Sequence, residues 1–166
     1  MERRKDMKYE INGETTIVFD SKGRTFLIDT NQLDKALKYN WYVGARGFVR
    51  TASRKAGRVM LHRYLLDTKE QVDHINRDRT DNRLCNLRIC TTQENNRNRL
   101  GWKQSTSGLK GVTWCKDKKK WRARIGVDGK RISLGYFNTR EEAAQAYDEK
   151  AEEIFGEYAP HHQQNS

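Results

Sequence analysis

Val72-Asp73-His74-Ile75-Asn76-Arg77-Asp78, followed across a short polar insert by Asn82-Arg83-Leu84-Cys85-Asn86-Leu87-Arg88-Ile89-Cys90-Thr91-Thr92-Gln93-Glu94-Asn95-Asn96-Arg97-Asn98, is the stretch on which the reading of this chain turns. Each part alone has an ordinary explanation, since Asp-His dipeptides are common and asparagine-rich loops are usually only loops. Taken in order, the parts read as strand, loop, strand and helix. Asp73 and His74 end one strand-like run, Leu87–Thr91 pairs back on it, and Thr92 caps a helix whose first turn holds Glu94, Asn95 and Asn96. Folded back, such a ββα unit brings the helix against the first strand, so that Asp73 and a helical asparagine meet at one cation. A site made of oxygen donors suits Mg²⁺ or Mn²⁺, ions that keep several waters and accept phosphate oxygens as further ligands. Phosphodiester hydrolysis needs such an ion to neutralise charge on the transition state, and a neutral imidazole such as His74 to take a proton from the attacking water.

From about His62 to Arg99 the chain resembles the HNH endonucleases of phages and mobile introns, whose fold is the ββα-metal motif. The resemblance rests on Asp73-His74, on Asn86-Leu87 and on Asn95 in the helix. It implies that His74 is the general base, that Asp73 and Asn95 are metal ligands, and that Asn86 braces the loop orienting His74. A one-residue shift of alignment leaves Asn98 as the alternative ligand. His62-Arg63 resembles an HR pair that precedes the motif in this branch; a structural histidine and a phosphate contact are both open. Arg77, Arg79, Arg83, Arg88, Arg97 and Arg99 surround the motif, where phosphate contact competes with a merely solvated charge run.

Downstream, Ser107-Gly-Leu-Lys-Gly-Val-Thr-Trp, Lys120-Trp-Arg-Ala-Arg-Ile and Arg131-Ile-Ser-Leu-Gly-Tyr-Phe precede a helix. Thr139 and Glu142 form a capping box at its start, and Gly156 is a plausible stop. Three strands are expected at Gly111–Cys115, Trp121–Val127 and Lys130–Phe137, the last two joined by the hairpin signal Asp128-Gly129. An apolar helix stripe is expected at Ala143, Ala146, Tyr147, Ala151 and Ile154 or Phe155. This region, Ser107 to Ala159, resembles the AP2 DNA-binding domain, in which a three-stranded sheet lies in the major groove and the helix packs behind it. Strand alternation with Ile125, Ile132 and Leu134 on the helix side turns Arg122, Arg124, Arg131 and Ser133 outward, joined by Thr113 and Cys115. Arginine reads guanine bidentately, whereas lysines in turns mainly hold phosphate. Base contacts are therefore expected from Arg122, Arg124 and Arg131, and backbone contacts from Lys110, Lys116, Lys118, Lys119, Lys120 and Lys130. Trp121 is expected in the core, and Trp114 in packing rather than the groove.

Composition agrees with a polyanion partner. The 166 residues carry 33 Lys and Arg against 22 Asp and Glu, a net charge of +11, and the pI is about 9.7. No run of ~18 apolar residues suggests a membrane span, and the opening MERRKDMKYEING lacks the apolar core of a signal peptide. The expected location is cytoplasmic, that of the host cell if a phage encodes the chain. Cys85, Cys90 and Cys115 have no zinc spacing and read as ordinary thiols.

The expected fold class is α+β. A β-rich segment at 1–58 holds strands around TTIVF, TFLI, WYV and GFVRT and a short helix from Asn31 to Tyr39. A ββα core follows at 59–100, entered by a short amphipathic helix carrying Met60, Leu61, Tyr64 and Leu65. A connector at 101–106, the AP2-like module at 107–159 and a loose tail at 160–166 complete the chain. The resulting expectation is a Mg²⁺- or Mn²⁺-dependent endonuclease on double-stranded DNA, a monomer with no obligate protein partner. A non-catalytic DNA-binding regulator is the alternative, since AP2 modules also serve in transcription factors.

Overall fold

The computed structural model describes residues 7–53, 57–98 and 107–159. Arg99, the connector at 101–106 and the tail at 160–166 lie outside the described residues. The chain divides after Thr92 into two compact units. The fold is α+β, built from small antiparallel sheets and short helices. Among the described residues no helix is long and apolar enough to cross a membrane.

The first unit opens with a meander of β1 (Tyr9–Asn12), β2 (Thr15–Phe19) and β3 (Thr25–Asp29). Gly13, at φ +60°, turns the first hairpin. The second is organised by Asp20, whose Oδ1 accepts the Lys22 and Arg24 N–H groups at 2.8 and 3.0 Å. A single 3-10 turn, Thr30–Gln32, leads into α1 (Leu33–Ala36). A second sheet follows, of β4 (Tyr42–Val43), β5 (Val49–Ser53) and β6 (Gly57–Met60), and then α2 (Leu61–Leu65). The expected amphipathic helix is thus shorter at its start, because Val59 and Met60 pair with Thr51 and Arg50 as strand.

Val18, Phe26, Ile28, Leu33, Ala36, Trp41, Val43, Val49, Leu61 and Leu65 bury together in one core. Residues expected as a separate segment before position 59 therefore share their core with the helix that leads into the ββα motif. That motif begins with β7 (Val72–His74) and β8 (Leu87–Ile89), paired antiparallel.

The second unit holds most of α3 (Thr92–Asn98), then β9 (Val112–Cys115), β10 (Lys120–Val127) and β11 (Lys130–Phe137) in the order β11-β10-β9, with α4 (Arg140–Phe155) on one face. The expected capping box forms, with Thr139 accepting from the Glu142 N–H and Glu142 reaching back. Ala143, Ala144, Tyr147, Ala151 and Phe155 are the helix's buried residues, so Ala144 takes the place expected of Ala146. They bury Val112, Ala123 and Ile125 of the sheet. Gly111 lies at φ +74°, and a Cβ there would strike the Tyr147 ring and the Arg124 carbonyl, so only glycine fits.

Within the second unit, α3 is fastened at its end. The Lys110 ammonium donates to the Asn96 and Arg97 carbonyls at 2.7 and 2.6 Å, and the Arg97 guanidinium lies 4.4 Å over the Phe155 ring.

Candidate active site and nucleic-acid interface

Asp73 and His74 end β7 and are both buried, 7 % and 4 % exposed. Asp73 faces Arg88 directly across the two-stranded sheet, and its Oδ2 accepts from Arg88 Nη2 and Nε at 2.8 and 3.1 Å. Alternation puts the next residue, His74, on the opposite side of the strand. Its Nε2 lies 3.4 Å from Asn82 Oδ1. Burial pushes the His74 pKa down, and the Asn82 contact and the nearby Asp73 carboxylate oppose this only in part.

The loop between β7 and β8 is stitched by its own short polar side chains. Asn86 Oδ1 accepts the Asn76 N–H at 2.9 Å, Asn86 Nδ2 donates to the Asp81 carbonyl at 2.8 Å, and the Asn86 carbonyl accepts the Ile75 N–H at 2.9 Å. One buried asparagine thus ties both ends of the loop. Asp81 receives a bidentate Arg83 at 2.8 and 2.7 Å and the Asn76 amide at 2.9 Å, and the Arg83 contact holds its carboxyl below the usual range.

The first unit's opening meander supplies the other anchor. Leu27 of β3 donates to the Thr80 carbonyl and accepts from the Asn82 N–H, both at 2.8 Å, while Asp29 Oδ2 accepts the Leu84 N–H at 2.7 Å. The segment 9–50, for which the sequence gives no chemical role, is the frame on which this loop hangs.

Two further residues reach His74 that motif reading did not place there. The ring of His62, at the start of α2 and 5 % exposed, meets the His74 ring edge-on, with centroids 5.1 Å apart and planes at 88°. Phe48, just before β5, touches both rings at 5.7 and 6.1 Å, and Arg79 lies 4.4 Å over its ring. The His62-Arg63 pair was the available signal for the first. Phe48 has none, because the chain reaches it through a hairpin turn.

Several arginines around the motif are engaged inside the protein. Arg83 holds Asp81, Arg88 holds Asp73, Arg79 donates to the Arg46 carbonyl at 2.8 Å, and Arg97 covers Phe155. Lys110, expected on phosphate, likewise spends its ammonium on α3. Asn95 is half-buried and Asn98 buried on α3. Among the described residues no group of three or more His, Cys, Asp and Glu side chains converges as a metal site.

On the second unit's sheet the face turned from α4 is basic. Arg122 pairs across to Thr113 on one side and Tyr136 on the other, Arg124 pairs with Ser133, and Arg131 with Gly126. The expected outward set is therefore together. Tyr136 joins it because of a β-bulge: Ala123 pairs with Gly135 but Arg124 with Ser133, leaving Leu134 as the extra residue. Lys118 Nζ sits 4.0 Å over the Tyr136 ring. Among the described residues no ion pair involves Arg122, Arg124 or Arg131, and the Arg124 pKa is lowered by burial and by its two arginine neighbours. Lys116 and Lys120 are exposed at the turn between β9 and β10. Ile132 shares the face of Ile125 yet stays 41 % exposed on the edge strand, whereas Leu134 packs against the core. Trp121 packs against the core as expected, and the half-exposed Trp114 meets it edge-on at 5.2 Å.

A paired β7–β8 with a buried Asp-His, a stitched loop and a following helix define a class. Residues 64–97 match the family described as HNH endonuclease, and residues 107–157 match that described as AP2 domain. An uncharacterized HNH endonuclease of Acanthamoeba polyphaga mimivirus is 30 % identical over 152 residues, covering 87 % of this chain and 78 % of that protein. The chain belongs to the HNH endonuclease family and carries an AP2 domain. Protein 3.8 of Escherichia phage T7 is 33 % identical over 88 residues, 53 % of this chain and 72 % of that protein. No solved structure matches significantly.

Proposed function

We propose that this protein hydrolyses phosphodiester bonds in double-stranded DNA, with His74 as general base. The observation that carries the reading is the placement of His74: buried beside Asp73, at the mouth of a loop that Asn86 ties at both ends. His74, kept neutral by burial, takes the proton of the attacking water at an imidazole nitrogen. Asn86 sets the direction of that imidazole by fixing the backbone just after it, at the Ile75 and Asn76 N–H groups.

The donor chemistry fits a hard divalent cation, Mg²⁺ or Mn²⁺. Asp73 offers a carboxylate, paired in the fold with Arg88, and Asn95 offers an amide oxygen, with Asn98 the alternative. When bound, the ion supplies charge neutralisation at the scissile phosphate and its leaving oxygen. The outer face of the AP2 sheet holds the DNA, with Arg122, Arg124 and Arg131 on base edges, Thr113 and Ser133 beside them, and Lys116 and Lys120 on phosphate. With a single centre, the protein acts as a monomer that nicks one strand, in the manner of a phage or mobile-element nuclease working in host cytoplasm.

The test is supercoiled plasmid incubated with wild type and His74→Ala, with Mg²⁺ or with EDTA. Nicking by the wild type alone, and only with the ion, is the expected result. Tight DNA binding with no cleavage under any condition would replace the reading with that of a DNA-binding regulator.

A further inference from the structure

We propose that His62 is a positioning residue for His74, its ring serving with Phe48 as the wall that sets the plane of the base. The inference rests on the reading of His74 as general base. Rotation of a histidine ring about its last side-chain bond is broad and only loosely staggered, so neighbours must fix the plane of a catalytic imidazole. Asn82 contacts one ring nitrogen at the long distance of 3.4 Å. The lateral contacts come from His62, perpendicular at 5.1 Å, and from Phe48 at 6.1 Å, with Phe48 and His62 themselves in contact at 5.7 Å. The perpendicular packing of His62 on His74 is the arrangement ring quadrupoles favour, and Phe48 meets both rings at a tilt.

Two features separate this role from a phosphate contact. His62 is buried, and among the described residues its Nδ1 has no hydrogen-bond partner, so its contact with His74 is made through the flat ring. Burial, followed by the neighbouring His74 and Arg63, also drives its pKa down to about 3, so the ring stays uncharged against the base. The wall has its own support, with Arg79 stacked 4.4 Å over Phe48 and tied to the Arg46 carbonyl.

The experiment compares full-length wild type with His62→Ala, His62→Phe, His62→Leu and His74→Ala. Plasmid affinity, melting temperature and single-turnover cleavage at saturating protein are measured with Mg²⁺, and the ¹⁵N shifts of the His74 imidazole are recorded. A misdirected base costs about 10- to 100-fold in rate. His62→Ala and His62→Leu are expected to slow cleavage by that factor with unchanged DNA affinity, and to shift the His74 signals. His62→Phe, which keeps the flat ring and surrenders no bond at Nδ1, is expected to restore the rate to within about threefold. Should His62→Ala fail to fold, the comparison of Phe with Leu decides the question. Wild-type cleavage by His62→Ala, equal rates for Phe and Leu, or a Phe variant as slow as Ala would each overturn the proposal. If His74→Ala cleaves like wild type, the assignment of the base falls and this inference with it. If His74→Ala is inactive while His62→Ala is not, only this inference falls.

Discussion

Asp20 sits in the turn between β2 and β3 with a buried carboxylate that five groups approach: the backbone N–H groups of Lys22, Arg24 and Val43, and two guanidinium nitrogens of Arg24. Burial alone would raise its pKa, but the Arg24 side chain and then the backbone donors outweigh it and hold the carboxyl at about 2, against 3.8 for the free group. A depressed folded pKa contributes stability that is complete above about pH 4 and is lost as pH falls toward 2. Urea melts of wild type and Asp20→Asn should differ at pH 7 and converge as pH is lowered through that window. Arg88 makes a second residue-scale case. Replaced by methionine, it would take two charge-assisted hydrogen bonds from the buried Asp73 carboxylate, and a loss of about 3 kcal/mol is expected at pH 7. Chemical denaturation measures it directly.

Among the elements, the loop between β7 and β8 and the bulged strand β11 behave differently under substitution. Asn86→Ala strands the buried Asp81 carbonyl, a loss of about 1–3 kcal/mol, and frees the more exposed Asn76 N–H to water. Such a variant should both melt earlier and lose cleavage. Asp29→Ala removes one anchor of the same loop from the outside, at the Leu84 N–H. It should lose cleavage more than stability, while plasmid affinity, proposed to reside on the AP2 sheet, stays unchanged in gel shifts. Gly111→Ala must place a methyl against Tyr147 at a positive φ, and should destabilise the AP2 module by several kcal/mol.

The strands and α4 of the AP2 module were legible because alternation, an Asp-Gly turn and a capping box are all local signals. The Asp73, His74 and Asn86 cluster was legible as a motif. The bulge at Leu134 was not, since one extra residue changes no local pattern yet swings Tyr136 onto the basic face. Nor was the hold of Leu27 on Thr80 and Asn82 visible, being backbone to backbone between distant parts of the chain. Phe48 and His62 meet His74 only through tertiary packing, which periodicity does not encode.

At the scale of the whole molecule, the balance of charge favours a polyanionic partner. With a net charge of +11, plasmid affinity should fall steeply with salt. Removing Lys116 or Lys120, the lysines proposed to hold phosphate, should reduce the slope of log affinity against log salt by about 0.9. Arg122→Ala or Arg124→Ala should instead cost about 1–3 kcal/mol on a preferred sequence and little on random DNA. Filter binding on both, across a salt series, separates the two kinds of contact.

The grip of Lys110 on the carbonyl end of α3 bears on how such a protein can be recombined. The helix that carries Asn95 is fastened to residues of the AP2 module, by Lys110 at one point and by Phe155 at another. A graft that exchanges AP2 modules at 101–106 would therefore strip α3 of its fastening, even though the join falls in polar, small-residue sequence. A replacement module would keep α3 held only by carrying the helix with it, or by bringing a lysine and an aromatic ring that close on it again.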